Sequence, residues 1–360
     1  MTYTKPMTAH LYKALALQTR CDAVNAAKTR ESAEEIMRAG LSRMKGQILS
    51  ARAFHGPSLR LVCLPEYALT SYPAGETAAE WRDKAALDPG GEIYAAIGAV
   101  AAATGVHLGI NAYETDPAFP ELYFQASTIW APSGDCILRY RRLISMYAPS
   151  PWDVWDRYIA EYGAESLFPV AATELGSLAA LASEEILYPE IARCLALNGA
   201  EVLLHPTSEA ASTLASPKNV AKIARAQENA LYVVSANSAG IYGTPLAPHS
   251  TDGRSQIVDD RGIKLAEVPT GESITACADI DLASLRARRA RVGMDNRLHR
   301  VPTELFAQIF ASHAVHPPNT LGDGSAPPTK DFYRDRQAGV IAGRKERQGD
   351  RQAERQGKLD

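Results

Sequence analysis

A chain of 360 residues exceeds one average domain, yet it fits a single large layered α/β unit with an appendage. Hydrophobic residues are 46% and charged residues 22%, ordinary globular usage that excludes wholesale disorder. The formal net charge of -3 offers no global basic field, so neither nucleic acid nor a membrane is expected as a partner.

The opening, MTYTKPMTAHLYK, lacks the basic, apolar, small-residue order of a secretory signal, and neither end carries a lipidation motif. Cys21, Cys63, Cys136, Cys194 and Cys277 are odd in number, far apart and without a CxxC pair. They suggest neither a disulfide framework nor a zinc site, and a reducing cytoplasm is the expected location. In chain order, an apolar strand is predicted over 11–18, then a helix over 32–53 with Ile36, Met37, Leu41, Met44, Ile48 and Leu49 at helical spacing. A strand follows over 59–64. The uncharged run 93–110 is long enough for a membrane span, but half of it is Ala and Gly, and Gly105 divides it into a helix (91–103) and a strand (106–113). Further strands are expected over 126–130, 178–182, 202–205, 231–237, 255–258 and 273–278, with helices over 188–198 and 219–229. Two β-rich halves with helices outside indicate a layered sandwich rather than a barrel.

Composition changes after about His313. A Pro and Gly-rich linker leads into a segment from Lys330 with 9 Lys and Arg against 6 Asp and Glu. Residues 1–312 are therefore read as the folded domain and 313–360 as linker and charged tail. The tail reads either as a solvated appendage or as an arm wrapping a neighbouring subunit.

Three segments carry the chemistry. LVCLPEY, residues 61–67, ends a buried strand in Pro65 and Glu66 and so sets a carboxylate at the carboxyl edge of a sheet, where α/β folds place ligands. ILRYRRLISMYAPSPW, residues 137–152, runs from a strand into a cationic pair and then a Pro and aromatic loop. In residues 178–208 an apolar strand ends at Ser183, and Pro189-Glu190 then starts a helix. A nucleophile on such a strand-to-helix turn is exposed beside backbone donors.

Together these segments resemble the nitrilase superfamily of carbon-nitrogen hydrolases over about residues 10–310, most closely the aliphatic-amidase and formamidase branch. Supporting stretches are Ala16-Leu17-Gln18, the WAPSGD turn before Arg139, NGAEVLLHPTS, Arg225 to Asn229 leading to Asn237, and Gly253 to Ile257. The resemblance implies a four-layer α-β-β-α sandwich, a homodimer or higher even oligomer in which sandwiches stack, and no metal or organic cofactor. It also implies a Glu base, a Lys and a Cys nucleophile, which fall here on Glu66, Arg142 and Ser183. A further Glu of the amidase branch falls on Ser150, and the acid two residues after the nucleophile is present as Glu185. Tyr67, Ser150, Trp152, Glu184 and Glu185 are expected to surround a substrate pocket, with Tyr72 and Trp155 as further wall candidates.

The departures act in one direction. A serine hydroxyl is a far weaker acid than a thiol and demands a stronger base. Arginine cannot lose its proton, and a permanent cation beside Glu66 makes that carboxylate a poorer base. Two classes stay open: a homologue without ordinary amidase activity, whose pocket holds a small amide-like ligand or which partners an active paralogue, and a hydrolase using Ser183. In the second, Arg142 and the Glu184 N–H would serve the oxyanion. Serine chemistry would place Ser183 Oγ within hydrogen-bond reach of Glu66. Cys194 reads as a packed thiol, Glu190 as a helix-start residue and His205 as structural.

Overall fold

The computed structural model describes residues 10–209, 216–251, 253–322 and 329–356; residues 1–9, 323–328 of the linker and 357–360 of the tail lie outside the described residues. The first half holds β1 (Leu11–Ala16), β2 (Cys21–Asp22), α1 (Arg30–His55), β3 (Leu59–Cys63), α2 (Ala78–Ala85), α3 (Glu92–Thr104), β4 (His107–Glu114), β5 (Phe124–Trp130), β6 (Cys136–Arg141) and α4 (Trp155–Tyr162). After it come β7 (Ala171–Thr173), β8 (Gly176–Ala180), α5 (Pro189–Leu197), β9 (Val202–Thr207), α6 (Pro217–Asn229), β10 (Tyr232–Asn237), β11 (Ile241–Tyr242), β12 (Gln256–Val258), β13 (Lys264–Glu267) and β14 (Cys277–Asp281). Helices α7 (Leu282–Ala290), α8 (Glu304–Ser312) and α9 (Lys330–Gln356) complete the order.

Two six-stranded sheets form, one in the order β14, β1, β3, β4, β5, β6 and the other β13, β12, β10, β9, β8, β7. The middle strands of each sheet are parallel, joined by helices that cross over the outer face. Helix α1 starts at a reciprocal cap, in which Ser32 N–H donates to Thr29 Oγ1 at 3.3 Å and Thr29 N–H to Ser32 Oγ at 3.2 Å. Its buried stripe of Met37, Leu41, Met44 and Ile48 packs with α3 over Leu15, Val62 and Leu108 of the first sheet. Helix α3 ends at Gly105, whose left-handed φ of 62° lets the chain turn into β4. Ile191 and Leu195 of α5 and Ala221 and Ala226 of α6 cover the second sheet.

The inner faces meet directly. Tyr12 Oη donates to Leu175 O at 3.0 Å, and Ser127 Oγ to Leu181 O at 3.2 Å. At Gly109 of β4 the approach is so close that a Cβ would stand 2.5 Å from Leu204 Cδ1 of β9. The chain is therefore a four-layer α-β-β-α sandwich.

Two local differences from the sequence reading have physical reasons. The last strand lies at Cys277–Asp281 rather than 273–278, because pairing with β1 sets its register from Leu11 opposite Asp281 to Leu15 opposite Cys277. This edge strand is only partly buried, so its apolar pattern is weak. In the tail, α9 sets Tyr333 into the protein at 2% exposure, and Arg336 pairs with the buried carboxylate of Asp153.

Candidate active site

Because β3, β8 and β9 run parallel within their sheets, their carboxyl ends deliver residues to one edge of the sandwich, and β6, antiparallel to β5 and so in the same sense as β4 and β3, brings its carboxyl end to that edge too. Glu66 follows β3, Arg142 follows β6, Ser183 follows β8, and Thr207 closes β9. A cleft of about 1130 Å³ opens there, bounded by Tyr67, Gln125, Arg142, Ser183, Glu184 and Lys218. Tyr72 also stands on its wall.

Glu66 lies fully buried behind that wall. Its Oε1 accepts from Gln125 Nε2 at 2.7 Å and stands 3.7 Å from Arg142 Nη1, while its Oε2 accepts from the Ser208 N–H at 3.1 Å. Gln125 is the linchpin the sequence reading lacked: its Oε1 accepts from Arg142 Nη1 at 2.7 Å, so one amide joins the two charged groups. Arg142 also donates from Nε to Ile144 O at 2.8 Å and from Nη2 to Glu184 Oε1 at 2.5 Å. Burial works against the guanidinium charge, but Glu66, Tyr67 and Glu184 more than offset it and raise its pKa. Tyr67 stacks on Tyr113 with ring centroids 6.1 Å apart, and burial pushes its phenol up.

Ser183 occupies the strand-to-helix turn with a left-handed φ of 49°, unusual for a residue with a Cβ, and opens a short 3-10 helix (Ser183–Leu187). Backbone strain of this kind persists only when neighbours hold it. Here His205 does so, donating from Nε2 to Ser183 O at 2.8 Å while its Nδ1 accepts from Ser235 Oγ at 2.9 Å. Burial, then the charges of Lys222 and Lys218, hold this imidazole neutral, well below the usual histidine range. The hydroxyl of Ser183 accepts from Lys218 Nζ at 3.2 Å, and Lys218 also reaches Thr207 Oγ1 at 3.4 Å. Among the described residues this lysine, from the start of α6, is the hydrogen-bond partner of Ser183 Oγ; Glu66 instead faces Gln125, Ser208 and Arg142.

Three expected pocket residues take other places. Glu185 is fully buried beneath the cleft, accepting from the N–H groups of Leu143 at 2.8 Å, Ile144 at 3.0 Å and Ala182 at 3.1 Å and from Tyr140 Oη at 2.8 Å. It thus ties the loop after β6, which carries Arg142, to the turn that carries Ser183. Burial raises its pKa to about 7, against the pull of Arg142 and these donors. Ser150 and Trp152 border a second cavity of about 640 Å³, together with Trp155, Tyr188, Arg336 and Val340. Ser150 is turned there by Asp153, whose Oδ2 accepts from Ser150 N at 2.9 Å and Oγ at 2.8 Å, a cap for the short helix Pro151–Val154. Among the described residues no group of three or more His, Cys, Asp or Glu is spaced to hold a metal ion, and no helix is long and apolar enough to cross a membrane.

The stacked sheets, with a cleft where their strand ends meet, define a protein of the nitrilase architecture. The family model for carbon-nitrogen hydrolases matches residues 19–290, and the chain belongs to that family. A deaminated glutathione amidase of Synechocystis sp. is 27% identical over 180 residues, 49% of this chain and 64% of that relative, so the match leaves about a third of the relative uncovered. A carbon-nitrogen hydrolase from Helicobacter pylori G27 superposes with a TM-score of 0.64 at 21% identity, covering 83% of this chain and 98% of the other. For Nit3 of Saccharomyces cerevisiae the TM-score is 0.59 at 20% identity, over 81% and 97%. An amidase from Nesterenkonia sp. gives 0.59 at 17% identity, over 85% and 99%. At these identities the structural likeness speaks for the fold.

Proposed function

We propose that this carbon-nitrogen hydrolase homologue has lost ordinary cysteine-dependent amidase chemistry and keeps its cleft for a small amide-like ligand. The observation that carries the reading is the fixing of Arg142. Its guanidinium is held by Gln125, Ile144 and Glu184 at 2.5 to 2.8 Å, with Glu66 at 3.7 Å. A cation held so firmly neither gives up a proton nor swings toward a leaving amine. Glu66 accepts from Gln125 and Ser208 and is not engaged with Ser183. The cleft remains open to ligands through Tyr67, Tyr72 and Glu184. We also propose that the chain pairs with a second copy of itself.

Ammonia release from acetamide, propionamide and butyramide, together with calorimetric titration of the same amides, tests this reading. Turnover is expected to stay at least a thousandfold below the ordinary enzyme rate of about 10 per second, while at least one amide binds saturably. Rates in the ordinary range, or no binding at all, would overturn it. Ser183→Cys with Arg142→Lys should raise turnover more than the product of the two single changes, since residues that act as a unit are not additive.

A further inference from the structure

We propose that Ser183 and Lys218 form a serine–lysine pair that accepts an acyl group from an activated acyl donor, an ester or thioester with a good leaving group. The inference rests on the cleft being a small-molecule pocket, and adds to it a reaction that needs neither the family's cysteine nor a mobile lysine after β6.

The geometry points there through four observations. Lys218 Nζ stands 3.2 Å from Ser183 Oγ, within the range a base needs to take a hydroxyl proton. Thr207 Oγ1, 3.4 Å from the same nitrogen, gives it a second anchor at the end of β9. The carboxylates of this part of the molecule are engaged elsewhere, Glu184 by Arg142 at 2.5 Å and Glu209 by Lys222 at 2.7 Å. Finally, Ser183 is held in its left-handed conformation by His205, and both Ser183 and Lys218 face the cleft. A serine on such a turn presents its oxygen outward.

The step balances without further reagents. Lys218, as the free amine, takes the Ser183 hydroxyl proton while Oγ forms a bond to the acyl carbon. The tetrahedral intermediate then collapses and breaks the bond to the leaving oxygen or sulfur, which departs as its anion. Lys218 passes its proton to that anion or to water. In the second half, Lys218 takes a proton from a water that attacks the acyl carbon, Ser183 Oγ leaves and recovers the proton, and a carboxylic acid is released. An activated leaving group departs without being protonated, so only one proton transfer must be aligned in the first half, whereas an amide nitrogen requires a second. This is why the pair suits esters where amide turnover is slow.

The full chain incubated with p-nitrophenyl acetate is expected to gain an acetyl group on the peptide that contains Ser183, read by peptide mass mapping so that acetylated cysteines are told apart. Lys218→Met should slow this acetylation about 10² to 10⁴-fold, the ordinary contribution of a general base. Lys218→Arg, which keeps the charge but cannot accept the proton, should slow it as much. Ser183→Ala should abolish the label at that peptide. Acetylation of Ser183 in Lys218→Arg at the parent rate would overturn the assignment, as would label confined to cysteines. Titration with propionamide separates the two readings: amide binding without Ser183 acetylation sinks the pair alone, and acetylation without amide binding sinks the amide-pocket reading alone. Variants that retain the parent's thermal unfolding temperature show that the loss is not one of folding.

Discussion

Glu185 is a fully buried carboxyl ringed by three backbone N–H groups and a tyrosine hydroxyl, and its place between the Arg142 loop and the Ser183 turn makes its protonation a property of the whole site. Burial raises its pKa from 4.5 to about 7. Between those values the unfolded chain has lost its proton while the folded chain retains it, so the slope of unfolding free energy with pH is negative. Stability from this group is therefore fully present below about pH 4.5 and is lost as pH rises toward 7, by roughly 3 kcal/mol at most. Urea unfolding of the parent and of Glu185→Gln across pH 4.5 to 8 reads it: the parent should carry a downward component that the variant lacks. Identical pH dependence in the two proteins would refute the assignment. The same residue shows what the sequence conceals. An acid two positions after the nucleophile looks like a pocket group, yet the fold turns it inward, because Ser183 points at the cleft and the following short helix directs Glu185 into the core.

At the scale of elements, the close contact of the two sheets depends on a missing side chain. Gly109→Ala would bring a Cβ to within 2.5 Å of Leu204 Cδ1, and Leu204 is itself fully buried. Overpacking of this kind costs about 1 to 3 kcal/mol. Gly109→Ala should therefore lower the urea midpoint, and Leu204→Val in the same chain should restore part of the loss, so the double-mutant cycle should show favourable coupling. Strict additivity would mean that the sheets do not meet there. The main strands were legible because buried parallel strands read as continuous apolar runs, as in 202–205 and 231–237. The motif order then located Glu66, Arg142 and Ser183 at strand ends. Gln125 and Lys218 were not legible for different reasons. Gln125 sits in β5 just ahead of the residues 126–130 expected as the strand, and only pairing with β4, Tyr113 opposite Gln125 and Glu114 opposite Phe124, extends the strand back to Phe124. Lys218 belongs to the polar first turn of α6, an ordinary surface feature in sequence, and it meets Ser183 only because the chain returns over the end of β9. Ser150 caps, and Trp152 belongs to, a helix of a single turn, too short to show a periodicity, so nothing in the sequence indicated which way Asp153 would turn Ser150.

For the molecule as a whole, the proposed pairing with a second copy has a physical counterpart in α8. None of its residues is buried, and Leu305, Phe306, Ile309 and Phe310 are 68%, 47%, 59% and 60% exposed. Their spacing puts four large apolar side chains on one stripe of the helix. Fully burying such a side chain contributes about 1.5 to 3 kcal/mol, and a twofold axis would cover the stripe of each copy by the same contact, doubling the gain. Helix α5, with its N-cap Tyr188, offers only Tyr188 and Leu197 as exposed large apolar residues, at 37% and 51%. The pairing should therefore depend more on α8 than on α5. Light scattering of the full chain is expected to give twice the chain mass or a higher even multiple. Phe306→Glu with Phe310→Glu should shift it to a single chain, while Leu197→Glu should leave it largely assembled. A concentration-independent single chain for the parent would end the proposal; loss of assembly in Leu197→Glu alone would place the interface at α5 instead.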